Sequence, residues 1–355
     1  MRVMSTKFNS TPGLRSRLML FGAAATAGVV GSLSLAGAPV ASASVSYDFT
    51  ALGFFPGGQP NSSANGINDS GEVVGWASTA AGPIQAFIYT GGPLHDLGTL
   101  AGGSYSSNSY GINNSGMVAG SSVISGGSYY YAFSDNGTMA DLGTLPGGSN
   151  SFGAAINASG TVVGQAEVST GYEHAFSDGG TMTDLGTLGG SGSAAFGINT
   201  SGTVVGWADT LPGAFHAFSD SGTMADLGTL GGSYSIAYGI NDSGTAVGWA
   251  ETSSGYEHAF SDNGTMKDLG TLSLASYSSV ANGINNSGTI VGYSGISPGV
   301  NHAFVYANGV MSDLNNLTVN LPGTGLWKRQ MASTRTATLW AGAIMTTHLT
   351  RKPFF

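Results

Sequence analysis

One unit recurs six times along this 355-residue chain, at intervals of 42–45 residues. Its first landmark is a Gly-Ile-Asn or a near variant, with Ile67, Ile112, Ile156, Ile198, Ile240 and Ile284 in register. A Gly-x-Val-Val-Gly segment follows, as at 71–75, 160–164 and 202–206, with a close variant at 288–292. Next comes an Ala-Phe pair ending at Phe87, Phe133, Phe176, Phe218, Phe260 and Phe304. The last landmark is DLGTL, starting at Asp96, Asp141, Asp184, Asp226 and Asp268, with DLNNL from Asp313 as its variant. Each landmark is short, apolar or β-branched, and bounded by turn residues, which is the pattern of a strand. Asn241-Asp242-Ser243-Gly244 separates the first strand from the second, and Asp262-Asn263-Gly264 the third from the fourth. Asn-Gly reads there as a hairpin turn in which both residues accept positive φ.

Four strands at this period are what a β-propeller blade needs. No window sustains a helical period, so a helical solenoid is excluded. A β-helix is the structural rival, but its coils repeat at about half this length or less. The sequence therefore predicts an all-β propeller of six in-frame four-stranded blades, with a seventh left incomplete.

His-Ala-Phe recurs at 174–176, 216–218, 258–260 and 302–304 beside GINDSGEVVGW-type and DLGTL segments. In this the chain resembles the HAF-repeat family of bacterial extracellular proteins, from about Asp48 to Leu317. Gln85 and Tyr131 replace the histidine in two copies. The resemblance implies an exported repeat protein and assigns no activity.

Charge and cysteine narrow the classes. All nineteen acidic residues lie between Asp48 and Asp313, where Lys267 is the only Lys or Arg, giving that stretch a charge near −18. Such a surface repels phosphate backbones and anionic lipid, so nucleic acid is not an expected partner. The chain has no cysteine, which excludes disulfides, thiol nucleophiles and thiolate metal sites. Arg2, Lys7, Arg15 and Arg17 precede an apolar run, and Ala41-Ser42-Ala43 fits a cleavage site. Residues 1–43 are thus expected to be an export signal, leaving no membrane span in the mature form and a secreted or surface location. The repeat domain is expected at 44–317, and an aberrant tail at 318–355.

The two ends read together. Leu52-Gly53-Phe54-Phe55-Pro56-Gly57-Gly58 copies Leu142-Gly143-Thr144-Leu145-Pro146-Gly147-Gly148, so the repeats begin with a fourth strand that has no blade of its own. A seventh copy at the C-terminus would complete it, yet 326–355 carries no landmark. Joining the third base of each codon to the first two of the next restores one. Trp327/Lys328 then forces Glu, and Met331/Ala332 and Trp340/Ala341 force glycines spaced like Gly283 and Gly292. A frameshift near Leu326 is the expectation. Leu321-Pro322-Gly323-Thr324-Gly325 also matches a sortase signal, but the following apolar stretch is too short to span a membrane.

The recurring His174, His216, His258 and His302 are predicted to bond across strands to the aspartates of the DLGTL slot, among them Asp141, Asp184, Asp226 and Asp268, with His258 opposite Asp268. The alternative is a metal-binding ring, but equivalent residues of a propeller converge only where they line the axis. Calcium was weighed at Asn68-Asp69-Ser70-Gly71 and Asp262-Asn263-Gly264, each of which offers one carboxylate, too few for its six to eight oxygens. No cofactor or metal site is expected. Function in a repeat fold belongs where copies differ. Tyr129, Tyr130, Tyr131, Tyr172, Phe215 and Tyr256 do, along with Tyr105, Glu173 and Glu257. Aromatic rings beside carboxylates suit a glycan or a protein partner. No nucleophile elbow, zinc helix or phosphate loop is present, so no catalytic residue is assigned. The reading is a secreted, non-enzymatic binding or scaffolding module. The alternative is an extracellular polysaccharide hydrolase or lyase, using pairs such as Glu167 and Glu173 or Glu251 and Glu257.

Overall fold

The computed structural model describes residues 2–7 and 46–316, with short breaks at 101, 103–104, 125, 127–128, 212 and 274–276. Most of the expected leader, the frameshift region and the sortase-like motif lie outside these residues. Each copy of the repeat forms one four-stranded antiparallel sheet whose strands follow chain order. Blade I spans 62–98, blade II 107–141, blade III 151–186, blade IV 189–228, blade V 231–270 and blade VI 279–313. The only helix among the described residues is a single 3-10 turn, Leu314–Asn316, so none is long enough to cross a membrane. First strands of consecutive blades touch one another, whereas fourth strands make no comparable contact. First strands therefore sit innermost and the blades fan outward from them, as in a propeller.

The landmarks explain the packing. In blade V the strands are Gly231–Ile240, Ala246–Thr252, Glu257–Asp262 and Met266–Gly270. Gly248 of the second pairs with Phe260 of the third, and the same Gly–Phe pair recurs in every blade. The six phenylalanines are fully buried, and the glycines give the close passage beneath them. Serines open a second layer of contacts. Ser235 Oγ donates to Gly228 O of the preceding blade while accepting from Ala217 N there, and Ser193 does the same to Gly186 and Ala175.

The turn between first and second strands joins the blades near the axis. Asn199 Oδ1 accepts Thr203 N–H at 2.9 Å, closing its own turn, while Asn199 Nδ2 donates to Asn241 O of the next blade. The same link runs Asn68 to Asn113, Asn113 to Asn157, Asn157 to Asn199 and Asn241 to Asn285. All six asparagines are buried, so each amide satisfies polar groups that water does not reach.

The turn between third and fourth strands differs from its expected form. Asp262 pairs with Met266, leaving a three-residue loop, and only Gly264 takes positive φ, at 111°. The buried Asp262 carboxylate accepts Gly264 N–H at 2.8 Å and so supplies the turn that a second positive-φ residue would have made. The two-residue Asn-Gly hairpin does occur in blade VI, with Asn308 at φ 53° and Gly309 at 83°.

Before blade I, strand β1 (Arg2–Lys7) pairs antiparallel with strand β2 (Ser46–Ala51). Residues 52–58 continue from β2 into the core, where Leu52 and Phe55 pack with Ile67, Val73 and Phe87.

Candidate functional site

Four histidines meet four aspartates, one pair per blade. His174 Nδ1 lies 2.9 Å from Asp184 Oδ2, His216 2.8 Å from Asp226, His258 2.9 Å from Asp268 and His302 2.7 Å from Asp313. Each pair joins the third and fourth strands of its own blade, as expected from the sequence. The register does not match. Phe260 stands opposite Asp268, so His258 reaches the aspartate on the diagonal from two residues along its strand, and a bulge follows at Leu269–Gly270. Asp268 Oδ1 makes that bulge by accepting Gly270 N–H at 2.7 Å, with Gly270 at φ 75°. A carboxylate only accepts, so the imidazole carries its proton on Nδ1 and is fixed in one tautomer. Asp141, in the blade where Tyr131 replaces histidine, keeps the bulge bond to Gly143 N–H. Among the described residues no three His, Asp or Glu side chains converge as metal ligands would. Each pair ties the third strand of its blade to the fourth. His216→Ala is expected to lower stability by about 1 kcal/mol, because the pair is partly open to water. Urea denaturation checks it.

The depression at the axial end is lined by Asn157, Asn199, Asn241, Thr200, Asp242 and the isoleucines of the first strands. Its polar atoms are engaged between blades. Burial alone would raise the Asp242 carboxyl, but bonds from Thr200 Oγ1–H, Thr200 N–H and Asn286 Nδ2 outweigh it and hold the group below its ordinary range. This end is a seam that joins the blades.

The residues that vary between copies gather at the other edge, where the hairpin between second and third strands meets the next blade. Tyr129, Tyr172 and Tyr256 occupy one slot of that hairpin, and all three are exposed, Tyr172 by 55%. Tyr130, Glu173, Phe215 and Glu257 hold the following slot, directly before the histidine slot that Tyr131 shares. This second slot reaches the next blade. Tyr130 N–H donates to Asn150 Oδ1, and its ring stacks on Phe152 at 5.7 Å. Phe215 lies 4.8 Å from Tyr234 and 6.1 Å from Trp249, both of blade V, and 5.8 Å from Trp207 of its own blade. The groove between blades IV and V is thereby plugged with rings.

Between blades III and IV the contact is made differently. Gly192 stands where Tyr234 stands one blade later; it is buried, and its N–H donates to Asp209 Oδ2 at 3.0 Å. A methyl group there would meet Asp209 Oδ2 at 3.3 Å, Glu173 O at 3.5 Å and Trp207 Cη2 at 3.7 Å, so these groups close over the position. The sequence singled out Tyr172 and Glu173 but missed Trp207, Asp209 and Gly192, because strand-2 residues read there as packing. The departure of Gly192 from Tyr234 within aligned copies was the available signal.

Glu167 and Glu173 face each other across strands, as do Glu251 and Glu257. Their environments differ. Glu167 accepts from Ser149 N–H and Asn150 Nδ2, and Glu251 from Ser233 N–H. Burial pushes the Glu173 carboxyl up, the Glu167 charge adds to this, and Gln165 Nε2 at 2.5 Å pulls it partly back. Glu257 is raised by burial and then by Glu251. A carboxyl raised in the folded state costs nothing below its unfolded pKa, where both states are protonated, and destabilises as pH rises through ionisation. Glu257→Gln is therefore expected to raise the urea midpoint slightly at neutral pH, solvent screening keeping the effect small, and the gain fades towards pH ~4. Paired urea titrations at the two pH values read it. In blade IV the corresponding residues are Asp209 and Phe215, so the acidic pair is not a constant of the fold.

No family model matches the chain, and no curated protein matches it. Among solved structures it is similar to a crystal structure of AofleA from Arthrobotrys oligospora, with a TM-score of 0.37 and 11% identity over 70% of this chain and 83% of that one. A triple mutant of AofleA gives a TM-score of 0.37 and 12% identity over 71% and 84%.

Proposed function

We propose that this protein is an extracellular binding module that takes hydroxyl-rich, glycan-type ligands on the outer hairpins between second and third strands. The observation that carries this reading is the recurrence of an exposed tyrosine, Tyr129, Tyr172 and Tyr256, at one slot of those hairpins, followed in two of them by the carboxylates of Glu173 and Glu257. An aromatic surface stacks on the apolar face of a sugar ring, while carboxylate and carbonyl oxygens accept its hydroxyl protons. Tyr172 is the most exposed of the three tyrosines. The location outside the cell rests on the basic–apolar–small N-terminus and the HAF-repeat resemblance. Repetition favours binding over catalysis, since the acidic pairs recur in blades III and V and are replaced in blade IV.

A glycan array probed with the labelled protein, followed by titration of intrinsic tryptophan fluorescence, tests the proposal. Saturable binding to neutral oligosaccharides is expected, with Tyr172→Ala weakening it at least tenfold and Trp76→Ala, within a strand of blade I, leaving it intact. An array without binding, or equal losses in both variants, would remove these hairpins from consideration.

A further inference from the structure

The six blades leave one fourth strand over. Ser62 Oγ donates to Gly53 O at 3.1 Å, the bond that Ser107 makes to Gly98, Ser151 to Gly143 and Ser279 to Gly270 of the preceding blade. Gly58 likewise passes under Ser78 O as Gly148 passes under Glu167 O. Residues 46–58 therefore hold the place of the fourth strand of a blade that would precede blade I, and the structure contains none of that blade's first two strands among the described residues.

The far side of the molecule carries a matching mark. Asn282 sits at the bulge of the first strand of blade VI, and its Nδ2 is buried without a hydrogen-bond partner. The same bulge position in blade I is Asn65, whose Nδ2 donates to Asn108 Oδ1 at 2.9 Å and Ser109 O at 2.8 Å. Both acceptors belong to the first strand of the next blade. An enclosed amide donor without an acceptor costs free energy in a folded protein, and here the acceptors its counterpart uses are those of a following blade.

We infer that the space between blade VI and residues 46–58 is a docking surface for the first three strands of one further unit of this same repeat. Its first strand would lie on blade VI and give Asn282 a backbone carbonyl. Its third strand would pair antiparallel with β2, taking the place that β1 holds along all six residues of β2 in this structure. The occupant is a three-stranded antiparallel unit with the Gly–Phe pair and axial asparagine of the other blades, because only that unit supplies every contact at once.

The test extends the chain by repeating residues 272–307 after Asn316 in place of the tail, which preserves the repeat spacing. A control carries the same residues in shuffled order. The extended chain is expected to melt about 5 °C or more above the control and to resist proteolysis within 46–58. Asn282→Ala is expected to lower the melting temperature of the extended chain and to leave that of the original unchanged or higher, since there it removes an unpartnered donor. An extension no more stable, soluble or protected than its shuffled control would overturn the inference. So would an Asn282→Ala effect of equal size in both chains, or a dimer of the original chain that hides 46–58 by itself.

Discussion

Gly248→Ala is expected to destabilise the protein by about 3 kcal/mol or more, although it adds a single methyl group. That methyl would stand 1.8 Å from Ile236 O and 2.8 Å from Ala237 Cα, both backbone atoms of the first strand. Neither atom can rotate away, so relief requires the first and second strands to part. The position lies opposite Phe260, which is fully buried, and parting the strands would open the ring's pocket as well. Gly255→Ala supplies the contrast. Gly255 has φ 81° and no atom within 4 Å of the added methyl, so its cost is the left-handed backbone alone, about 1 kcal/mol. Urea midpoints for the two variants should differ widely, and equal midpoints would mean that the blade does not need its close strand crossing.

Asn199→Ala is expected to cost about 2 kcal/mol. The side chain is 5% exposed. It closes its own turn through Thr203 N–H and Ser201 Oγ–H, and it reaches the next blade through Asn241 O. Truncation leaves Thr203 N–H without its partner and takes from Asn241 O the donor that crosses the blades, leaving that carbonyl with Gly244 N–H alone. The loss should loosen the contact between blades IV and V more than the interior of either sheet. Amide hydrogen exchange, read at Asn241 and its neighbours against the strand interiors, distinguishes the two.

The blades were legible in the sequence because each strand has its own landmark. Gly-Ile-Asn, Gly-x-Val-Val-Gly, Ala-Phe and DLGTL each fell in the strand assigned to it, and the pairing of His258 with Asp268 followed from their spacing. The register of that pair did not follow. The bulge at Leu269–Gly270 depends on Asp268 bonding two residues ahead, and DLG does not distinguish this from a plain strand end. The turn at Asp262 was misjudged for a related reason, since a buried carboxylate did the work assigned to a second positive-φ residue. The aromatic and acidic residues of the outer grooves stood out as differences between copies. Their grouping did not, because Glu173 meets Gly192 and Trp207 only once blade III has packed on blade IV. Contacts across blades, such as Asn199 to Asn241, join residues 42 apart and leave no local trace.

The account rests on successive repeats being arranged around a centre instead of stacked along a line. The chain has no cysteine, so paired spin labels can be placed at will. Thr138, Thr181, Thr223 and Thr265 hold equivalent exposed positions in the third-to-fourth-strand turns of blades II to V. Labels on Thr138 combined in turn with Thr181, Thr223 and Thr265, read by pulsed dipolar spectroscopy, give distances across one, two and three blades. The radial arrangement predicts that the second distance falls short of twice the first and that the third adds only about half the first distance or less. Distances growing in equal steps would describe a linear coil and contradict the account.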